Sequence, residues 1–182
     1  KDSYLAFTEQ GGGALLEHSH ALNLFLFFAS ELGQGPAVKV EATVDWVAHE
    51  SGRYDRESSL SITLKSGLIG EVKQDLHTWP AIKEAEATFE HGALVWTMGG
   101  DSDSVTYKNS SGQIVEKWTF PKTRPDDFKG EIRHLSELLS SPTLTSTLDL
   151  SHGLQVMEVA LAAFESSVTK QPVAPKPLRS NY

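Results

Sequence analysis

The chain has 182 residues, a formal net charge of -8, 39% hydrophobic and 22% charged residues, and no cysteine. That length suits one domain around one core, and the composition is that of a soluble globular protein rather than a disordered or membrane-embedded one. The negative charge, with Lys and Arg scattered along the chain, sets nucleic acid aside as a partner, and the missing thiols exclude disulfides, thiolate nucleophiles and cysteine-based zinc sites. No apolar run reaches the length of a membrane span or a signal-peptide core, so the expectations are a cytoplasmic location and no membrane partner.

Gly11-Gly12-Gly13 opens the first element. Ala14, Leu15 and Leu16, then residues 21–29 with Asn23 as the polar exception, predict a helix buried on most sides that ends near Gly33. Val38, Val40, Ala42, Val44 and Trp46 alternate with polar residues, the period of a strand with one buried face. Leu60, Ile62 and Leu64 repeat that alternation, Lys65-Ser66-Gly67 supplies a turn, and residues 69–76 return. A second hairpin turns at His91-Gly92, and a third at residues 109–112 joins residues 105–107 to 114–120.

The prediction is a meander of six or more strands. Asp126 or Asp127 is placed to cap a helix striped by Phe128, Ile132, Leu135 and Leu139. Ser151 is placed to cap another, striped by Leu154, Met157, Leu161, Phe164 and Val168. The expected fold is α+β with a mostly antiparallel sheet, without the strand-helix alternation of a doubly wound nucleotide fold. Residues 1–173 form the expected domain, and residues 174–182, with prolines at 175 and 177, an extended tail. The glycine run lacks the preceding strand and spaced pattern of a dinucleotide site, and is read as close backbone approach at a tight helix entry.

Glu17, His20 and Asn23 interrupt the apolar helix. At about 100° per residue, Glu17 and His20 lie roughly 60° apart and Asn23 about 60° further, which makes one polar stripe; His18 falls near the opposite side, so an HxH metal pair is disfavoured. A carboxylate beside an imidazole holds it in one tautomer and makes a competent proton acceptor. Two readings stay open: three polar groups satisfying one another inside a core, or a pocket that uses them.

The run G-G-G-A-L-L-E-H-S-H-A-L-N-L resembles the G-G-G-x-L-L-(D/E)-x-S-H-x-x-D stretch of the glucose-fructose oxidoreductase, inositol dehydrogenase and MocA (Gfo/Idh/MocA) family, in its carboxy-terminal domain. Further pieces follow in family order. Lys1-Asp2-Ser3-Tyr4 resembles the entry to the motif, Ser66-Gly67 the hairpin turn, Asp75 the end of the returning strand, and His91-Gly92-Ala93-Leu94-Val95-Trp96 the G-x-x-x-W strand. Glu131-Ile132-Arg133-His134-Leu135 and residues 153–173 resemble the two closing helices.

The resemblance implies an open, mostly antiparallel sheet with helices on one face, the dihydrodipicolinate-reductase-like domain. It implies a substrate-binding and oligomerisation half, with NAD or NADP bound mainly by an N-terminal Rossmann domain outside this chain and no metal. His20 would be the catalytic proton acceptor or donor for a hydroxyl of a sugar, cyclitol or related polyol, with Glu17 and Asn23 as substrate-binding or orienting groups. Asp75 and Trp79 would complete the substrate contacts. Asn23 stands where the family generally has Asp, and Trp79 where sugar-modifying members often have Arg. The family's Glu-Lys-Pro motif is also outside these residues, so this half alone is expected to be inactive.

Homo-oligomerisation through the open sheet face is the expected assembly. The alternative function is a non-catalytic sugar-binding or oligomerisation module related to the family; a histidine-carboxylate metal hydrolase is a third reading. His77, His91, His134 and His152 have nothing at metal spacing, His91 reading as a turn residue and His134 and His152 as helix surface or cap neighbours.

Overall fold

The computed structural model describes residues 3–141, 143–146 and 149–178; the expectations for Lys1, Asp2 and residues 179–182 lie outside the described residues. Thirteen-residue strands β1 (Ala37–His49) and β2 (Gly52–Leu64) follow helices α1 (Ala14–Glu17) and α2 (His20–Glu31), and β3 (Ile69–Asp75) completes the first sheet. Strands β4 (Glu84–Phe89), β5 (Gly92–Met98), β6 (Ser102–Asn109) and β7 (Ile114–Pro121) come next, then α3 (Asp126–Ser140) and α4 (Leu150–Thr169). The architecture is α+β, with every strand pairing antiparallel.

The expected meander is divided. Among the described residues the strands form two sheets, ordered β1-β2-β3 and β4-β5-β6-β7. They belong to two compact units, Lys1–His77 with Thr147–Tyr182, and Thr78–Ser146. The predicted turns at Ser66-Gly67, His91-Gly92 and residues 109–112 all join strands as expected.

In the first unit, alternation delivers Val40, Val44, Leu60, Ile62, Leu64 and Val72 to one buried face. Leu22, Leu26 and Ala29 of α2 and Val156, Val159, Ala160, Ala162 and Ala163 of α4 cover that face. Burying each large aliphatic side chain there is worth about 1.5–3 kcal/mol.

Helix α4 departs from its predicted stripe. Met157, Leu161 and Val168 are exposed, and the buried side is the row of smaller residues, because small side chains let the helix lie close on the sheet. Ser166 uses that closeness: its Oγ accepts the Ala42 N–H at 3.1 Å. Val40 and Val173 exchange backbone hydrogen bonds beside it, so the free edge of β1 is covered at this point. The cap is Asp149, which accepts the His152 N–H at 2.9 Å, two residues before the expected Ser151. Past Val173 the tail runs back along α4, with Lys176 paired to Glu165 and the Leu178 N–H donating to Glu158.

In the second unit, cross-strand partners set the rows Ala85-Trp96-Val105-Trp118 and Ala87-Leu94-Tyr107-Glu116 on one face of the sheet. That face is aromatic and aliphatic, yet Leu94, Trp118 and Phe120 are exposed. Helix α3 starts at Asp126, but Pro125, without a side-chain cap hydrogen bond, holds the cap position expected for Asp126 or Asp127; the helix buries none of its residues, and Phe128, Ile132, Leu135 and Leu139 are open to solvent. No described helix is long and apolar enough to cross a membrane.

Candidate functional site

The site begins with the turn ahead of α1. Gly13 has φ +99°, and a side chain there would run into the Asp55 carboxyl; one on Gly12 would meet the Tyr4 carbonyl. Glycine is required at both positions by this close approach, as read from the sequence. With the turn closed, the Leu15 N–H donates to Asp55 Oδ2 at 2.6 Å, and Gln74 Nε2 donates to the carbonyls of Ala14 and Leu15 at 3.0 and 3.2 Å.

Asp55 and Gln74 are themselves buried, so α1 is seated on a polar saddle within the sheet. A β-bulge delivers Asp55 to it: Asp45 pairs with Glu57 but Trp46 with Asp55, so Arg56 is the extra residue and the strand changes phase. Burial pushes the Asp55 carboxyl above its ordinary pKa, and the N–H of Leu15 pulls partly the other way.

Helix α1 stops at Glu17. His18, at φ -101° and ψ 32°, leaves the helical region, and α2 starts afresh at His20 with Ser19 before it. The 60° relation between Glu17 and His20 assumed one unbroken helix and does not apply across this turn. Glu17 Oε1 instead accepts the Tyr4 hydroxyl at 2.8 Å, and among the described residues no hydrogen bond or ion pair joins Glu17 to His20. His20 is exposed, and no described residue hydrogen-bonds its ring.

Asn23 stands one turn further along α2, also exposed. Its Oδ1 accepts from His152 Nε2 at 2.7 Å, and Phe27 packs edge-on to that imidazole. His20 and Asn23 are therefore brought together on α2, with Glu17 just before them.

Asp75 and Trp79 are placed elsewhere. Since Gln74 faces α1, Asp75, the next residue, points to the opposite face of the sheet. There its Oδ1 accepts the His77 N–H at 2.8 Å, and the His77 ring lies 3.5 Å from Asp75 and 3.9 Å from Glu57. Trp79 belongs to the second unit and is 90% exposed.

Tyr4, Asp55, Gln74 and His152 were not singled out as site residues from the sequence. No spacing rule links Tyr4 to Glu17 or His152 to Asn23 across such separations, and the bulge that turns Asp55 inward leaves no mark in the alternation. Of the other histidines, His134 lies 2.8 Å from Ser146 Oγ, and the His91 carbonyl accepts the Tyr107 hydroxyl. Among the described residues no three His, Asp or Glu side chains are grouped to hold a metal ion.

The glycine run does not fit a dinucleotide phosphate. The Leu15 N–H that an anion would use at this turn is taken by the Asp55 carboxylate, and the space over Gly13 is filled by the same group.

Comparison with known proteins gives a fold. No protein-family model matches the sequence. Levoglucosan dehydrogenase in its apo form superposes with a TM-score of 0.74 at 15% identity, over 98% of this chain and 55% of that one. Aldose-aldose oxidoreductase from Caulobacter crescentus, complexed with glycerol, gives 0.69 at 16%, over 91% of this chain and 48% of that one. The WlbA dehydrogenase from Bordetella pertussis, complexed with NADH and UDP-GlcNAcA, gives 0.54 at 20%, over 92% and 47%. The chain has the fold of these oxidoreductases. They are of the Gfo/Idh/MocA type that the order of motifs resembles. The chain spans about half the length of each of the three.

Proposed function

We propose that the chain is the substrate-binding carboxy-terminal half of an NAD(P)-dependent oxidoreductase acting on a sugar, cyclitol or related polyol, and that His20 exchanges the proton of the reacting hydroxyl. The observation that carries this reading is the solvent-open imidazole of His20 beside Asn23, at the start of α2 and without a hydrogen-bond partner among the described residues, in a chain with this fold. An exposed ring nitrogen with no competing hydrogen bond can accept a proton from a bound hydroxyl, the work of a general base.

Glu17, held by Tyr4, and Asn23, held by His152, flank that ring and orient the substrate. Asp75, on the sheet face opposite α1, and Trp79, in the second unit, are not assigned to this site. The glycerol and UDP-GlcNAcA complexes of the two neighbours support a polyol or sugar as the substrate class. The nicotinamide cofactor is assigned to a domain outside these residues, because at the glycine turn the Asp55 carboxylate already takes the Leu15 N–H and fills the space over Gly13. The cytoplasm is the proposed compartment, and the aromatic face of the second sheet the proposed contact between copies.

The test is turnover in the protein that joins this chain to a nucleotide-binding domain. His20→Ala is expected to lower turnover roughly a hundredfold or more with the circular dichroism unchanged. Unchanged turnover removes His20 from the role. A second reading, a non-catalytic sugar-binding or assembly module, is favoured by the neutral Asn23 and the open aromatic face; sugar binding without any hydride transfer in the joined protein would select it.

A further inference from the structure

We propose that His152 is a positioning residue which turns the Asn23 side chain so that its NH2 group, not its carbonyl, faces the ligand side of α2 next to His20. This inference rests on the reading of that surface as a polyol site. A primary amide has one accepting and one donating end, so fixing either end fixes the other. Asn23 Oδ1 lies 2.7 Å from His152 Nε2. A carbonyl oxygen only accepts, and the imidazole therefore carries its proton on Nε2.

The framework around the pair is firm. His152 sits in the first turn of α4, where its own backbone N–H is held by the Asp149 cap at 2.9 Å, and α4 buries Val156, Val159 and Ala160 against the sheet soon afterwards. The Phe27 ring stands at 88° to the imidazole with centroids 6.4 Å apart, which restricts rotation of the ring. The Nδ2 protons of Asn23 are engaged by no described residue, and the side chain is exposed.

The chemistry follows from the placement. His20 and Asn23 are three residues apart on one helix and are neighbours on its surface, with Cβ atoms about 5–6 Å apart. A substrate hydroxyl between them can accept from the Asn23 NH2 while its O–H points at an unprotonated ring nitrogen of His20. As the O–H bond breaks and the N–H bond forms on His20, negative charge grows on the oxygen that Asn23 already faces, and a donor there stabilises it. A carboxylate at the same place would accept from the hydroxyl and oppose that charge. Asn23 is thus a donor in its own right, oriented from behind by α4.

The experiment is a long-range 1H-15N spectrum of the full chain, labelled with 15N, at mildly alkaline pH. His152 is expected as the Nε2–H tautomer. The Nδ1–H tautomer overturns the proposal, because a bare Nε2 would then face the NH2 and turn the carbonyl outward. His152→Gln, which keeps an N–H donor, should preserve the dispersed side-chain amide signals of Asn23, whereas His152→Leu should collapse them to exposed-amide positions; unchanged signals in the Leu variant overturn it as well. Should the Leu variant fail to fold, the wild-type tautomer still decides. Titration with myo-inositol separates this inference from the functional reading: no shift at His20 or Asn23, with the Nε2–H tautomer in place, counts against the polyol site and leaves the amide orientation standing.

Discussion

The two sheets are written in the same alternating code and reach opposite ends. On β1–β3 the apolar faces of the strands are covered by α2 and α4, and Val40, Ile62, Leu64 and Leu22 are shut away from water. On β4–β7 an equally regular row of aromatic and aliphatic residues stays open, and among the described residues of that unit only Gly92 and Val95 are buried. A period of two states that a strand has an apolar side; it does not state what lies against that side. The first sheet closes within the chain, whereas the second presents a surface of the kind that takes up a partner.

The largest expected effect is a difference in stability between the two units. Ile62→Ala or Leu22→Ala should cost about 2–5 kcal/mol, since each removes a fully buried side chain from a packed core. Trp118→Ala, on the open face, should cost the dilute chain less than about 1 kcal/mol. Urea denaturation of the three variants makes the comparison, and equal losses would mean that the second sheet is covered after all. Association is the next largest effect. Light scattering should show at least a dimer, with Trp118→Glu shifting it to monomer by placing a charge in the contact; a wild-type chain that stays monomeric at high concentration counts against the proposed assembly.

Much of this was legible in the sequence because it rests on local rules. The turns at Ser66-Gly67 and His91-Gly92, the strands between them and the tight glycine entry to α1 all follow from periodicity and glycine chemistry. What was not legible arises where tertiary contacts override the local pattern. The helix predicted from Gly13 to Gly33 breaks at His18 and Ser19, and with it goes the single stripe assumed for Glu17, His20 and Asn23. Arg56 bulges out of β2 ahead of the alternation read at Leu60, Ile62 and Leu64, and the change of phase turns an acid inward. For α4 the apolar stripe is written in the larger side chains, while close packing on the sheet buries the smaller ones.

Asp55 sharpens the contrast from inside the first unit, because its buried face carries an acid that the second sheet has no counterpart for among its buried residues. Burial raises its pKa in the folded chain. The sign is then fixed: a carboxyl that holds its proton more tightly when folded contributes stability fully below the unfolded value of about 4, and loses that contribution as pH rises through the raised one. Asp55→Asn keeps an acceptor for the Leu15 N–H and removes the titration. Relative to wild type, the variant should therefore gain stability between mildly acidic and neutral pH. Urea midpoints measured across that range check it, and a difference that moves the other way means that the carboxylate is better solvated than its burial implies.

The smallest expected effect lies at the edge of the candidate site. The Tyr4 hydroxyl donates to Glu17, and the carboxylate that accepts it, together with some burial and the nearby negative charge, pushes the phenol above its ordinary pKa. Ionising Tyr4 would break that hydrogen bond and set two negative charges side by side. Glu17→Gln removes the charge but keeps a carbonyl acceptor, so one of the chain's phenols should titrate at lower pH than in the wild type. Tyr4→Phe should delete that same phenol from the titration. Phenolate absorbance followed against pH distinguishes the cases. A titration that Glu17→Gln leaves unmoved would show the carboxylate turned away from Tyr4 in solution, free to swing across the His18–Ser19 turn toward His20, where the sequence alone had placed it.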